Sequence, residues 1–157
     1  MATIKVRHID AFTTIPHTGI PAGVILDGHR LSEQQMAEVA RELQLPETSF
    51  VLPTARPGID CRMRFFAPDR ERETGGPAAI AAVHALAESG LLGMSRNGSY
   101  TLRVDTLAGV LPFEIAKPDL GPPLVSLVMP PPLLEKAVQF KTDLVRLLNI
   151  QLSDFDN

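Results

Sequence analysis

Between Pro77 and Ser89 the chain runs Pro-Ala-Ala-Ile-Ala-Ala-Val-His-Ala-Leu-Ala-Glu-Ser, with Ala at 78, 79, 81, 82, 85 and 87 and Ile80, Val83 and Leu86 between them. Pro77 suits the first position of a helix, because its ring fixes φ and its missing N–H is not needed there. Gly90 supplies the stop. A helix that is small or apolar nearly all round has no face for water, so it must lie deep in a core with other elements close against it. In a chain of 157 residues, about one domain by length, that requirement dominates the fold.

The other elements follow from periodicity and local chemistry. Ile4 and Val6 alternate with Lys5 and Arg7, which predicts a half-buried strand to about Phe12. Pro16, Gly19 and Pro21 predict a turn-rich loop, and Val24 to Leu26 a short apolar strand. Ser32 and Gln35 form a capping box, with Leu31 and Met36 at the staple positions. Met36, Val39, Ala40 and Leu43 then make one apolar stripe, and Pro46 ends the helix. Thr48 to Leu52 predicts a strand entered directly from that helix. Cys61, Met63 and Phe65 alternate with Arg62 and Arg64, a strand with one wet face. Asp69 to Glu73 alternates in sign and predicts a solvated loop. Strands on either side of Ala108-Gly109 predict a hairpin, and Leu124 to Val128 one more strand. The expected class is α+β, with residues 1–129 as one lobe and 130–157 as a Pro-rich linker, from Pro130 to Pro132, and an amphipathic helix.

Composition excludes several classes of function. A net charge of −3 and only seven Phe and one Tyr give neither a basic field for phosphates nor platforms for bases, so no nucleic-acid partner is expected. No stretch approaches membrane-span length and no signal-like segment opens the chain, so no membrane partner and a cytoplasmic location are expected. The four histidines lack metal-ligand spacing, and the single cysteine, Cys61, lies on an alternating strand where a buried inert thiol is the usual case.

Two features carry chemistry. Glu47 lies between a helix stop and the apolar run Phe50-Val51-Leu52, at the edge of the core. Partial desolvation there would raise its pKa towards a range useful for proton transfer. Gly75-Gly76, just ahead of the Ala-rich helix, is a possible anion site because first-turn N–H groups have no intrahelical partner. A loop carboxylate and tight-turn glycines are the plainer readings, and the residues alone leave both pairs open.

Several segments match a known family in order and spacing. They are Ile9-Asp10-Ala11-Phe12, the turn Gly19-Ile20-Pro21-Ala22-Gly23-Val24, the run from Gln35-Met36 to Leu43, Leu45-Pro46-Glu47-Thr48-Ser49-Phe50-Val51, and Arg64-Phe65-Phe66-Ala67-Pro68 through Glu71 to Gly76. Over roughly residues 4 to 130 the chain resembles the PhzF-like phenazine-biosynthesis isomerases, which share the diaminopimelate-epimerase fold. The resemblance implies a barrel-like sheet wrapped around the Ala-rich helix, as one lobe of a two-lobed enzyme. It implies a cofactor-independent isomerisation with no metal, in which Glu47 shuttles a proton on a small carboxylated substrate held near Ser49, Gly75 and Gly76. It also implies a partner for this lobe, either a second copy or a separate second half. Ile20 stands where the family pattern has asparagine, and Pro77 where it has histidine. Those departures frame the alternative, a catalytically impaired remnant acting as a binding or interaction module.

Overall fold

The structure is a computed structural model that describes residues 3–129 together with Val145, Arg146 and Gln151. In chain order its elements are β1 (Arg7–Ala11), β2 (Ile20–Ile25), a 3-10 turn at Gly28–Arg30, α1 (Glu33–Leu43), β3 (Glu47–Leu52), β4 (Cys61–Phe66), β5 (Glu71–Arg72), α2 (Gly76–Glu88), β6 (Gly98–Thr106), β7 (Gly109–Lys117) and β8 (Leu124–Leu127). The linker and helix expected over 130–157 lie outside the described residues, apart from Val145 and Arg146, which are helical, and Gln151. Among the described residues no helix is long and apolar enough to cross a membrane.

One mixed sheet runs in the order β1-β2-β3-β4-β6-β7-β8, with β5 added beside β4. The β2–β3 and β4–β6 pairs are parallel and the others antiparallel. Helix α2 is in contact with strands at both ends of this order, β1 and β8, as well as with β2, β3, β4 and β7. A sheet whose two edges reach the same helix has curled around it. The expected α+β architecture, a curved sheet around the Ala-rich helix, is therefore the observed one.

The reason lies in side-chain size. Ala78, Ala79, Ala81, Ala82, Val83, Ala85, Leu86 and Ala87 are all buried, and methyl side chains let strand backbones approach the helix closely from several directions. Ala22, Val24, Val51, Met63, Phe65, Val104, Phe113 and Ile115 supply the surrounding apolar volume. The exit of α2 is also tied down: Lys117 Nζ donates to the carbonyls of Ala87 (2.9 Å) and Met94 (2.7 Å). A cation there also complements the negative end of the helix dipole.

Helix α1 covers the opposite face of the sheet, where Met36 and Ala40 pack with Ile25, Phe50 and Phe66. The capping box forms as expected: Gln35 N–H donates to Ser32 Oγ (3.3 Å) and Ser32 N–H to Gln35 Oε1 (2.9 Å). Gln44 closes the helix in the left-handed region at φ 53°, two residues before Pro46.

Four expectations need correction. The first strand begins at Arg7 rather than Ile4 and stops at Ala11, because Phe12 turns away at φ 61°. The second begins at Ile20, so Pro21 lies inside a strand rather than in the loop; it pairs with Asp10 of β1, while pairing with β3 starts only at Ala22. A missing donor therefore costs nothing on that side. The segment from Asp69 to Glu73 is exposed apart from half-buried Glu71, but it is not all loop, since Glu71–Arg72 forms β5 against Phe65 and Phe66. Nor is the second face of β4 wet throughout: Arg64 keeps only 15% of its side chain exposed. It lies 5.2 Å over the Phe66 ring and pairs with Glu71 and with Glu33 of α1.

Candidate functional site

Strand alternation sorts the relevant side chains onto two faces. In β3, Thr48 and Phe50 point towards α1, whereas Glu47, Ser49 and Val51 point towards α2; the partition agrees with Phe50 packing in the α1 cluster and Val51 in the α2 cluster. In β4, Phe65 takes the α2 face and Arg64 and Phe66 the α1 face. The register sets Ser49 opposite Phe65 and Phe65 opposite Arg72. Glu47, Ser49, Phe65 and Arg72 thus belong to the α2 side of the sheet.

Glu47 opens β3 beside Ala22 of β2, at the end of the sheet that meets the start of α2. Its Oε2 is buried and has no hydrogen-bond partner. Burial raises the carboxyl pKa above its ordinary value, opposed by the Ala78 backbone N–H and by the positive charge of Arg72. A carboxyl group with an unused oxygen and a raised pKa is suited to take and return a proton.

Gly75 and Gly76 reach the same place. Gly75 precedes α2 as its cap residue and provides no side-chain cap, and Pro77 follows Gly76 in the first turn. A Cβ on Gly75 would lie 2.8 Å from Phe65 Cγ and 3.0 Å from Glu47 Oε2, so only glycine leaves room for that carboxylate. Beside Gly76 there is open space, with nothing within 4 Å of a Cβ built there. Ala79 N–H returns to Gly75 O at 2.7 Å, and Pro77 has no N–H. The first-turn donors that the helix cannot use are therefore those of Gly76 and Ala78, and the Ala78 N–H is taken up by the Glu47 carboxyl group.

The structure thus brings Glu47, Gly75 and Gly76 together. Ser49 shares their face but is fully buried, and its hydroxyl donates to Gly23 O at 3.2 Å within the sheet. Ile20 lies two residues before Ala22, the β-partner of Glu47, and is 44% exposed. Arg72 escaped the sequence reading because its residues scan as a charged loop. The signal available was the alternation of Glu71 and Arg72, which pairing with β4 turns into opposite faces.

A cavity of about 880 Å³ lies elsewhere, along β1, α2 and the approach to β8, and contains none of these side chains. Its one carboxylate, Asp10, accepts the His17 backbone N–H at 2.6 Å. Cys61 is buried, and no group of three or more metal-ligating side chains occurs among the described residues.

Several known proteins are similar to this chain. A Bacillus subtilis protein named uncharacterized isomerase YfhB is 34% identical over 119 residues, which span 76% of this chain and 39% of that protein. The trans-2,3-dihydro-3-hydroxyanthranilate isomerase of Pseudomonas fluorescens is 32% identical over 109 residues, 69% of this chain and 36% of its own length. The chain therefore spans well under half the length of these two relatives. Among solved structures, a PhzF-family phenazine biosynthesis protein from Bacillus anthracis superposes with a TM-score of 0.77 at 34% identity, over 99% of this chain and 50% of that one. A probable proline racemase from Agrobacterium radiobacter shares the fold at 17% identity and a TM-score of 0.58. The family model described as phenazine biosynthesis-like protein matches residues 9–154, and with that match over most of its length the chain belongs to the PhzC-PhzF family.

Proposed function

We propose that this chain forms the first lobe of a cofactor-independent isomerase, in which Glu47 moves a proton between carbon atoms of a small conjugated carboxylate. The observation that carries this reading is the buried, unpartnered Oε2 of Glu47 beside Gly75. In the ionised form, Glu47 takes a proton from a C–H bond, and the electron pair spreads over the conjugated system. The resulting carboxylic acid then returns that proton at another carbon, so substrate and product have the same formula. The first-turn N–H of Gly76 is placed to offset the developing negative charge, while that of Ala78 is directed at the Glu47 carboxylate. The substrate named for the Pseudomonas fluorescens relative, trans-2,3-dihydro-3-hydroxyanthranilate, has the required carboxylate and conjugation.

A second lobe, from another copy of this chain or from a separate polypeptide, would supply the opposite wall of the site. We set the reaction in the cytoplasm, where one unpaired cysteine is the ordinary state. Pro77 supports the alternative of a binding module without chemistry, because it removes one donor from the first turn.

Exchange of a substrate C–H proton into deuterated solvent, followed by NMR with trans-2,3-dihydro-3-hydroxyanthranilate, is the test. It is run on the chain alone and with the C-terminal half of the Pseudomonas fluorescens relative added. Exchange that falls about 10²- to 10⁴-fold in Glu47→Gln is expected. Binding with no Glu47-dependent exchange in either preparation would overturn the enzyme reading in favour of the binding module.

A further inference from the structure

A carboxylated ligand beside Glu47 faces an electrostatic difficulty. Two carboxylates close together repel, and Pro77 has removed one of the helix-end donors that could offset this. A cation facing the site is needed. Arg64 cannot serve, because it lies on the α1 side with its guanidinium engaged by Glu71 at 2.6 Å and Glu33 at 3.0 Å.

Arg72 meets the requirement. Its backbone is fixed: β5 pairs with Phe65 and Phe66, and the neighbouring Glu71 is clamped by two 2.6 Å hydrogen bonds from Arg64 Nε and Nη2. Alternation sends Glu71 to the α1 face and Arg72 to the α2 face. Phe65, its partner in register, is the ring on which Gly75 packs, and Gly75 in turn adjoins Glu47 Oε2. Arg72 is exposed, and its side chain forms no ion pair or hydrogen bond among the described residues. Its charge also registers at Glu47, where it opposes the effect of burial.

We infer that Arg72 is the specificity-determining residue of this site, its guanidinium receiving the carboxylate of the ligand while Glu47 faces the reacting carbon. The inference rests on the proposed function for the location of the site, but not on turnover. A planar guanidinium can bind both carboxylate oxygens through parallel N–H bonds, which an ammonium cannot reproduce. Because nothing else holds the Arg72 side chain, no existing pair must break when the ligand arrives. Arg64 and Glu71 are then positioning residues that fix the strand from which Arg72 projects.

The test is a titration followed by ¹H–¹⁵N NMR on the chain as it stands, with anthranilate as the probe and anthranilamide as its uncharged counterpart. Anthranilate is expected to shift the Gly75, Gly76 and Ala78 amide signals, and anthranilamide to shift them far less. Arg72→Gln should weaken anthranilate binding about tenfold or more, and Arg72→Lys by less, since it retains the charge but loses the fork. Because Arg72 is exposed, unchanged spectra away from β5 would show that the variants are folded. Equal binding by Arg72→Gln, or equal binding of the amide, would overturn the role of Arg72 and leave Glu47-dependent exchange untouched. Absence of any anthranilate shift at these amides in the unsubstituted chain would overturn it as well. Loss of exchange with Arg72-dependent binding intact would instead count against the proposed chemistry alone.

Discussion

Gly75 makes room for Glu47. A side chain at Gly75 would begin 3.0 Å from Glu47 Oε2 and 2.8 Å from the Phe65 ring, so the carboxylate, the ring and the start of α2 share one tightly filled corner. Gly75 has an ordinary extended φ of −148°. Space, rather than backbone freedom, is what demands glycine there.

The adjacent glycines should therefore respond in opposite senses. Gly75→Ala forces Phe65, which is fully buried, out of its position and should cost about 1–3 kcal/mol, the usual penalty of overpacking a core. Gly76→Ala meets open space and should be neutral or stabilising by about 0.4–1 kcal/mol, because alanine restricts the unfolded chain. Urea unfolding of the two variants checks the contrast.

Glu47 should leave a signature in stability against pH. Its folded-state pKa lies above the ordinary value of 4.5, so the folded chain binds the proton more tightly than the unfolded chain. The stabilisation is fully present below about 4.5 and is lost as pH rises through the raised folded value. Glu47→Gln has no proton to lose. Its stability relative to the unsubstituted chain should therefore improve as pH rises from 4 towards neutrality, as denaturant midpoints at several pH values would show. A pH-independent difference would mean that Glu47 is not held in a desolvating corner.

Arg64→Lys keeps a positive charge but cannot form the fork to Glu71. With Arg64 and Glu71 only 15% and 20% exposed, the loss should be about 1–2 kcal/mol, in the range for a charge-assisted hydrogen bond. Faster amide exchange at Glu71 and Arg72 than in the unsubstituted chain would show that β5 is the element loosened. Unchanged exchange there would mean that backbone pairing alone holds the strand.

Cys61 should be inert in the native state. It is 2% exposed, and burial together with the nearby Asp60 charge pushes its thiol pKa up to about 12. Reaction with a thiol-specific disulfide reagent at pH 8 should proceed only as fast as the chain opens, and rapidly once denaturant is added. Rapid labelling without denaturant would contradict the packing of β4 against α2.

The sequence by itself determined that α2 must be central, because a helix with no polar face can only be stable when covered on every side. It also determined the start of α1, since the Ser32–Gln35 box is made of hydrogen bonds between residues three apart. Cys61, Met63 and Phe65 announced the buried face of β4 by simple alternation, and the hairpin closed at Gly109 opposite Thr106, as its spacing indicated. In each case the responsible contacts are local, or depend only on which face is apolar.

Tertiary structure alone decided the rest. Pro21 is tolerated in β2 because β3 begins its pairing one residue later, and no local pattern records where a neighbouring strand starts. Arg64 looked like a residue for water until α1 and β5 brought Glu33 and Glu71 to it. Ser49 faces the side of Glu47, yet its hydroxyl is used by Gly23 across the β2–β3 junction. Glu47, Gly75 and Arg72 come from three segments separated by up to 28 positions along the chain. Periodicity fixes the face on which each side chain emerges, but only the register between β3, β4 and β5 brings those faces into one corner.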